Sequence, residues 1–141
     1  MFRGRVRSSA LIAAAIFISF AAGRASSAQS SSRVFELRTY TTPEGKLAPL
    51  LARFRNHTMA LFEKHGMINI AYWVPQDAPK SGNTLIYVIA HHSRAEAAQN
   101  WAAFNADPEW QRVKAESEAS GPLVVHVESV FMNPADFSPL Q

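Results

Sequence analysis

The chain of 141 residues contains no cysteine. It therefore has no disulfide framework and no residue for a lipoprotein anchor. It also lacks a glycine-rich phosphate loop, a Gly-x-Ser-x-Gly elbow and a Walker motif, so nucleotide-dependent chemistry and serine hydrolysis have no support. The histidines show no metal-ligand spacing. His57 and His65 lie two helical turns apart without a Glu-x-x-His or His-x-x-x-His pattern, and the adjacent His91 and His92 point opposite ways on a strand. No metal site and no cofactor is expected. Nor is there a long hydrophobic run: the uncharged stretch Ala10 to Ala22 spans 13 residues, short of the ~20 that a membrane-crossing helix needs.

That short apolar stretch has company. Arg3, Arg5 and Arg7 precede it, and the small residues Ser26-Ser27-Ala28 follow. A basic segment, an apolar segment and a small-residue cleavage site form a secretory signal. Residues 1–28 are expected to be a cleaved leader and the protein to be secreted or periplasmic, with no stable membrane anchor once the leader is gone. Cleavage changes the charge balance. The whole chain holds 14 Lys and Arg against 11 Asp and Glu. Four of those bases (Arg3, Arg5, Arg7, Arg24) lie before the cleavage point, so ten face the 11 acids afterwards. A near-neutral mature chain is no nucleic-acid surface.

The remainder, about 105 residues, suffices for one domain that buries roughly two thirds of its unfolded surface. Residues 29–33 read as a flexible lead-in, 34–132 as the domain and 133–141 as a tail. Val34 to Thr41 alternates as a strand. Pro43 and Gly45 break it. A helix from about Lys46 to His65 follows, with Leu47, Leu50, Leu51, Phe54, Thr58, Leu61, Phe62 and His65 along one stripe and Gly66 as its cap. Met67 to Val74 and Thr84 to His91 read as strands joined by a loop. Ser93 and Glu96 form a capping box for a second helix. Asp107-Pro108 restarts a helix to about Ser117, and Leu123 to Met132 reads as the last strand. The order predicts an α+β, ferredoxin-like βαββαβ domain: a four-stranded antiparallel sheet with helices on one face.

The other face then needs a partner. Alternation groups Phe35 with Leu37, and Glu36 with Arg38 and Tyr40. The first pair is expected to meet the helices and the second set to lie on the bare face. His126, Glu128 and Val130 share a side of the last strand; Leu85, Tyr87, Ile89 and His91 share a side of the third. On the second strand, either Ile70, Tyr72 and Val74 or Ala71 and Trp73 turn away from the helices. A mixed aromatic and polar face of this kind suits pairing of two copies around a small-molecule cavity.

The opening strand Val34–Thr41, Gly45-Lys46-Leu47, Phe54 to His57, His65-Gly66, Tyr72-Trp73, Trp101 and the run Asp107-Pro108-Glu109-Trp110 resemble the NIPSNAP family over about Val34 to Phe131. The resemblance implies a dimeric α/β barrel of ferredoxin-like protomers. Its superfamily also holds cofactor-free monooxygenases, haem-degrading enzymes and stress-induced proteins. It carries over no catalytic residue, and fold analogy alone assigns no reaction. The leader departs from the Arg-rich, amphipathic transit peptides of mitochondrial members.

The main expectation is an exported homodimer that holds a small, partly apolar molecule between its sheets, with Glu36, Arg38, Tyr40, Tyr72, Trp73, Tyr87, His91, His126 and Glu128 as ligand-binding candidates. Trp101 and Trp110 read as helix-to-sheet packing. A second possibility is a cofactor-free oxygenase, isomerase or lyase. Arg38 and Tyr40 would stabilise a developing oxyanion and His126 would move a proton. A third is a haem binder using His126 or His91; a fourth is a purely structural dimer whose Glu–Arg network satisfies the interface.

Overall fold

A computed structural model describes residues 33–141; the expected leader (1–28) and residues 29–32 of the lead-in lie outside the described residues. Four strands are present: β1 Val34–Thr41, β2 Ile68–Trp73, β3 Thr84–His91 and β4 His126–Met132. They form one sheet in the order β2-β3-β1-β4, with every neighbouring pair antiparallel. The helices are α1 Leu47–Arg53, α2 Met59–Lys64, α3 Arg94–Ala106 and α4 Pro108–Ser117. This is the expected ferredoxin-like arrangement, with all helices on one face of the sheet. Among the described residues no helix is long and apolar enough to cross a membrane.

The first helical segment is not uniform. Between α1 and α2, residues Phe54–Thr58 form a π turn in which the Met59 N–H donates to the Phe54 carbonyl. The extra residue keeps Leu50, Phe54, Leu61 and Phe62 on the core side and buries Arg53 against α4. Gly66 ends the segment at φ +75°, a left-handed conformation that favours glycine. A Cβ there would also press on the Asn100 amide at 3.3 Å.

Both later helices start as their sequences demand. The Ser93 hydroxyl accepts from the Glu96 N–H at 3.1 Å, and the Asp107 carboxylate from the Glu109 N–H at 2.8 Å with Pro108 in the first turn. The core lies between helices and sheet: Leu47, Leu50, Phe54, Leu61, Phe62, Met67, Leu85, Tyr87, Ile89, Phe104 and Leu123. Each large apolar side chain buried here stabilises the fold by about 1.5–3 kcal/mol.

Cross-strand partners share a face, and this settles the orientation of β1. Arg38 pairs with Tyr87, and Glu36 with Ile89, so Glu36, Arg38 and Tyr40 point towards the helices. Phe35, Leu37 and Thr39 point to the bare face, opposite to the sequence expectation. The physical reason is that α3, β3 and β4 supply polar partners for Glu36, whereas Phe35 and Leu37 have apolar neighbours in Val88 and Val130. A bulge at Ile70 also breaks the alternation of β2. Asn69 and Tyr72 face the helices, while Ile70 and Trp73 lie on the bare side. β4 begins at His126; only the Val125 N–H, donating to the Thr41 carbonyl at 2.9 Å, precedes it in register.

Candidate functional site

The polar side chains of β1 converge on a single carboxylate. Glu36 is 1% exposed. It accepts hydrogen bonds from Arg38 Nη1 (2.6 Å), Ser129 Oγ (2.7 Å), Trp101 Nε1 (2.7 Å) and His91 Nε2 (3.1 Å). These donors come from β1, β4, α3 and the end of β3. Burial alone would push the Glu36 carboxyl up. The bonds from His91, Trp101, Ser129 and Arg38 outweigh it and hold the group at about 2, below its ordinary 4.5. Burial also works against the charge on Arg38. The nearby Tyr40 and Tyr87 phenols and the Glu36 carboxylate more than offset it, so the guanidinium is held above its ordinary value.

Arg38 projects from this anchor into a cleft. Its Cζ lies 4.3 Å from the centre of the Trp101 ring and 5.4 Å from that of Tyr40, a stacked cation–π arrangement. The cleft has a volume of about 540 Å³ and opens between the β1–β4 side of the sheet and α3–α4. Trp101, Trp110, Tyr40, Val124 and Val127 supply apolar wall; Arg38, Arg53, Lys114 and Glu118 supply charge. Arg53 is stacked over Trp110 at 5.1 Å and bonded to Glu118 (2.9 Å) and Ser117 (3.2 Å). Among the described residues, Arg38 makes one side-chain hydrogen bond, through Nη1. The rest of its donor fork is without a protein partner.

Aromatic packing supports the cleft from below. Tyr40 meets Tyr87 edge-on at 5.2 Å, and Tyr87 stacks on Tyr72 at 5.4 Å. Burial raises the phenols of Tyr72 and Tyr87 above their ordinary range, so both stay neutral. The Tyr87 hydroxyl is buried without a hydrogen-bond partner of good geometry. Trp110 is placed by the Asp107 cap. That carboxylate also takes Lys64 Nζ and His65 Nε2, each at 2.7 Å, which ties the end of α2 to the start of α4. Lys64, then His65, then the Glu109 N–H hold the Asp107 carboxyl well below the usual carboxylate range.

The structure divides the sequence candidates. Arg38 and Tyr40 line the cleft, Glu36 and His91 stand behind it, and Tyr72 and Tyr87 belong to the core beneath it. Trp73, His126 and Glu128 do not join them. His126 pairs across the sheet with Thr41, and Glu128 with Thr39, on the bare face. They are 62% and 67% exposed and, among the described residues, their side chains bond to each other alone, at 3.3 Å. His126 is therefore on the wrong side of the sheet to exchange a proton with anything held by Arg38. The His91 ring is fully buried and occupied by Glu36, not open to an axial haem bond. Sequence reasoning missed Arg53, Lys114 and Glu118; Trp101 and Trp110 pack against the core as read from the sequence and line the cleft as well. Two tryptophans on successive helices, followed by Lys114 and Glu118 at helical spacing from Trp110, were the available signal.

A second depression, of about 460 Å³, lies on the bare face. Phe35, Ile70, Trp73, Val88 and Met132 form its floor, and the tail residues Pro134, Phe137 and Leu140 flank it. No charged side chain lines it.

The NIPSNAP family model matches residues 35–139. The chain belongs to the NIPSNAP family. Solved relatives place its fold in wider company. A NIPSNAP family protein of unknown function from Agrobacterium tumefaciens is 24% identical, with a TM-score of 0.68 over 79% of this chain and 96% of that one. An uncharacterized NIPSNAP-like domain protein from Burkholderia xenovorans is 21% identical, with a TM-score of 0.67 over 77% of this chain and 90% of that one. A Streptomyces coelicolor monooxygenase in complex with nanaomycin D is 14% identical, with a TM-score of 0.55 over 79% and 95% of the two chains. Identities this low establish a shared fold. Among curated proteins no sequence matches this NIPSNAP chain.

Proposed function

We propose that this NIPSNAP protein is an exported homodimer that binds a small, planar, partly apolar molecule carrying a polar oxygen. The ligand lies in the cleft between sheet and helices, not between two sheets. One observation carries this reading: Arg38, anchored through Nη1 by Glu36 and stacked on Trp101, faces a cleft of about 540 Å³ whose walls combine the rings of Trp101, Trp110 and Tyr40 with the charged Arg53, Lys114 and Glu118. A concave site with aromatic walls and convergent polar groups suits a small molecule. Titration with 1-naphthamide, followed by tryptophan fluorescence, tests it. Arg38→Ala removes a hydrogen bond from a charged donor and should weaken binding roughly 10–100-fold, as about 1.5–3 kcal/mol implies. Equal affinity in the variant would refute the placement.

The dimer rests on the bare face. Leu37, Ile70, Val88 and Val130 present apolar side chains there around the buried Phe35, with Trp73 51% and Val130 53% exposed. An apolar sheet face of this extent calls for a cover, and a second copy related by a two-fold axis supplies a matching one. Sedimentation at micromolar concentration should give twice the mature mass. Export rests on the basic, apolar and small-residue segments of residues 1–28; an intact leader on protein recovered from the periplasm would count against cleavage.

A second reading is cofactor-free oxygenase, isomerase or lyase activity on an activated carbonyl. The fold shared with the Streptomyces coelicolor monooxygenase and with SnoaB, a cofactor-independent oxygenase from Streptomyces nogalater, favours it by analogy alone. In this cleft Arg38 and Tyr40 would stabilise negative charge developing on the carbonyl oxygen. His126 has no part in it, and turnover should survive His126→Ala.

A further inference from the structure

Both guanidinium groups that line the cleft are already neutralised. Arg38 is paired with Glu36 at 2.6 Å, and Arg53 with Glu118 at 2.9 Å. Each arginine faces the cleft with an aromatic ring, Trp101 or Trp110, on its flank and a carboxylate at its back or side. Glu36 is fully buried and held by four donors, so its charge is fixed in place and poorly screened. Lys114, the remaining base of the lining, is exposed at the rim, where water and salt screen it.

A site built to hold an organic anion leaves its arginines in want of charge. This one supplies the counter-charge itself and keeps only the donors. A ligand oxygen at Arg38 meets a hydrogen-bond fork with a fixed negative charge directly behind it. A carbonyl oxygen gains from the donors and feels little of that charge. A carboxylate gains from the same donors but is repelled by Glu36 and Glu118.

We infer that the cleft selects an uncharged, planar carbonyl compound over its anionic counterpart, and that Glu36, with Glu118 beside it, is the specificity determinant that sets this preference. The inference rests on the cleft being the ligand site, as proposed above.

The test uses two probes of the same ring size, neutral 1-naphthamide and anionic 1-naphthoate, titrated at pH 7 against the full mature chain and its Glu36→Gln and Glu118→Gln variants. The native protein should bind the amide at least about fivefold more tightly than the carboxylate. Removing one unit charge a few ångströms behind the contact should shift the ratio about tenfold towards the carboxylate in Glu36→Gln. Glu118 is partly exposed, so Glu118→Gln should shift it less but in the same direction. A merely structural role for Glu36 would weaken both probes equally and leave the ratio unmoved. That result, or a native protein that prefers the carboxylate, overturns the inference. Should Glu36→Gln fail to fold, Glu118→Gln decides on the same ratio. If neither probe binds the native chain, the cleft itself is refuted as the ligand site, and charge selection falls with it.

Discussion

Replacing Glu36 by Gln gives a direct measure of how strongly the buried network holds the fold. In the folded protein its carboxyl is held at about 2, against 4.5 when unconstrained. A shift of that size, at 1.36 kcal/mol per unit, corresponds to about 3 kcal/mol of stability at neutral pH, of which the hydrogen bonds that Gln can retain keep part, so that about 2 kcal/mol is lost. The sign follows from the direction: the folded value is depressed, so the contribution is fully present above pH 4.5 and is lost as pH falls from there towards 2. Gln keeps the shape and can still accept from Trp101, but it leaves the Arg38 charge without a counter-ion. Urea unfolding followed by circular dichroism, at several pH values from 7 to 2.5, should show Glu36→Gln less stable by about 2 kcal/mol at pH 7. The gap should close steadily below pH 4.5. Asp107 is also held low and loses its own contribution on acidification, but it does so in both chains and cancels in the difference. A variant as stable as the native chain at pH 7, or a gap that persists unchanged at pH 2.5, would refute the network's energetic role.

Other parts of the fold make separate predictions. Tyr87→Phe deletes a buried hydroxyl that, among the described residues, has no hydrogen-bond partner of good geometry, so it should leave stability unchanged or raise it by up to about 1 kcal/mol in the same urea assay. Ser93→Ala removes the cap that accepts from the Glu96 N–H and should lower stability by about 1 kcal/mol, with ligand affinity unaffected. Val130→Asp places a charge on the bare face, on edge strand β4 beside Leu37, and should shift sedimentation towards the monomer while the cleft keeps its affinity for 1-naphthamide.

The order of elements was readable because each carries its own local signal. Ser93 with Glu96, Asp107 with Pro108, and Gly66 after a long apolar stripe mark helix ends without reference to the rest of the chain. The π turn at Phe54–Thr58 and the bulge at Ile70 carry no such signal, since each depends on what the segment packs against. The site was half legible. Alternation correctly grouped Glu36, Arg38 and Tyr40, and also His126 with Glu128, but it says which residues share a face and not which face that is. Phe35 and Leu37 are assigned to the helix side because apolar side chains pack against helices by default, which leaves the polar set for the bare side. Glu36 instead finds donors on His91, Trp101 and Ser129, which are 55, 65 and 93 residues away in sequence. No local pattern encodes contacts at that separation. The same inversion shapes the bare face: Phe35 and Leu37 stand there because Glu36 and Arg38 are spent inside.

The three tryptophans of the chain divide between the two faces, which makes them reporters for the central claim. Trp101 and Trp110 line the helix-side cleft, and Trp73 lies on the bare side. The indole N–H resonances of ¹⁵N-labelled protein, followed by NMR during titration with 1-naphthamide, should show Trp101 and Trp110 moving while Trp73 stays in place. A titration that moves Trp73 and leaves Trp101 and Trp110 unchanged would contradict the account.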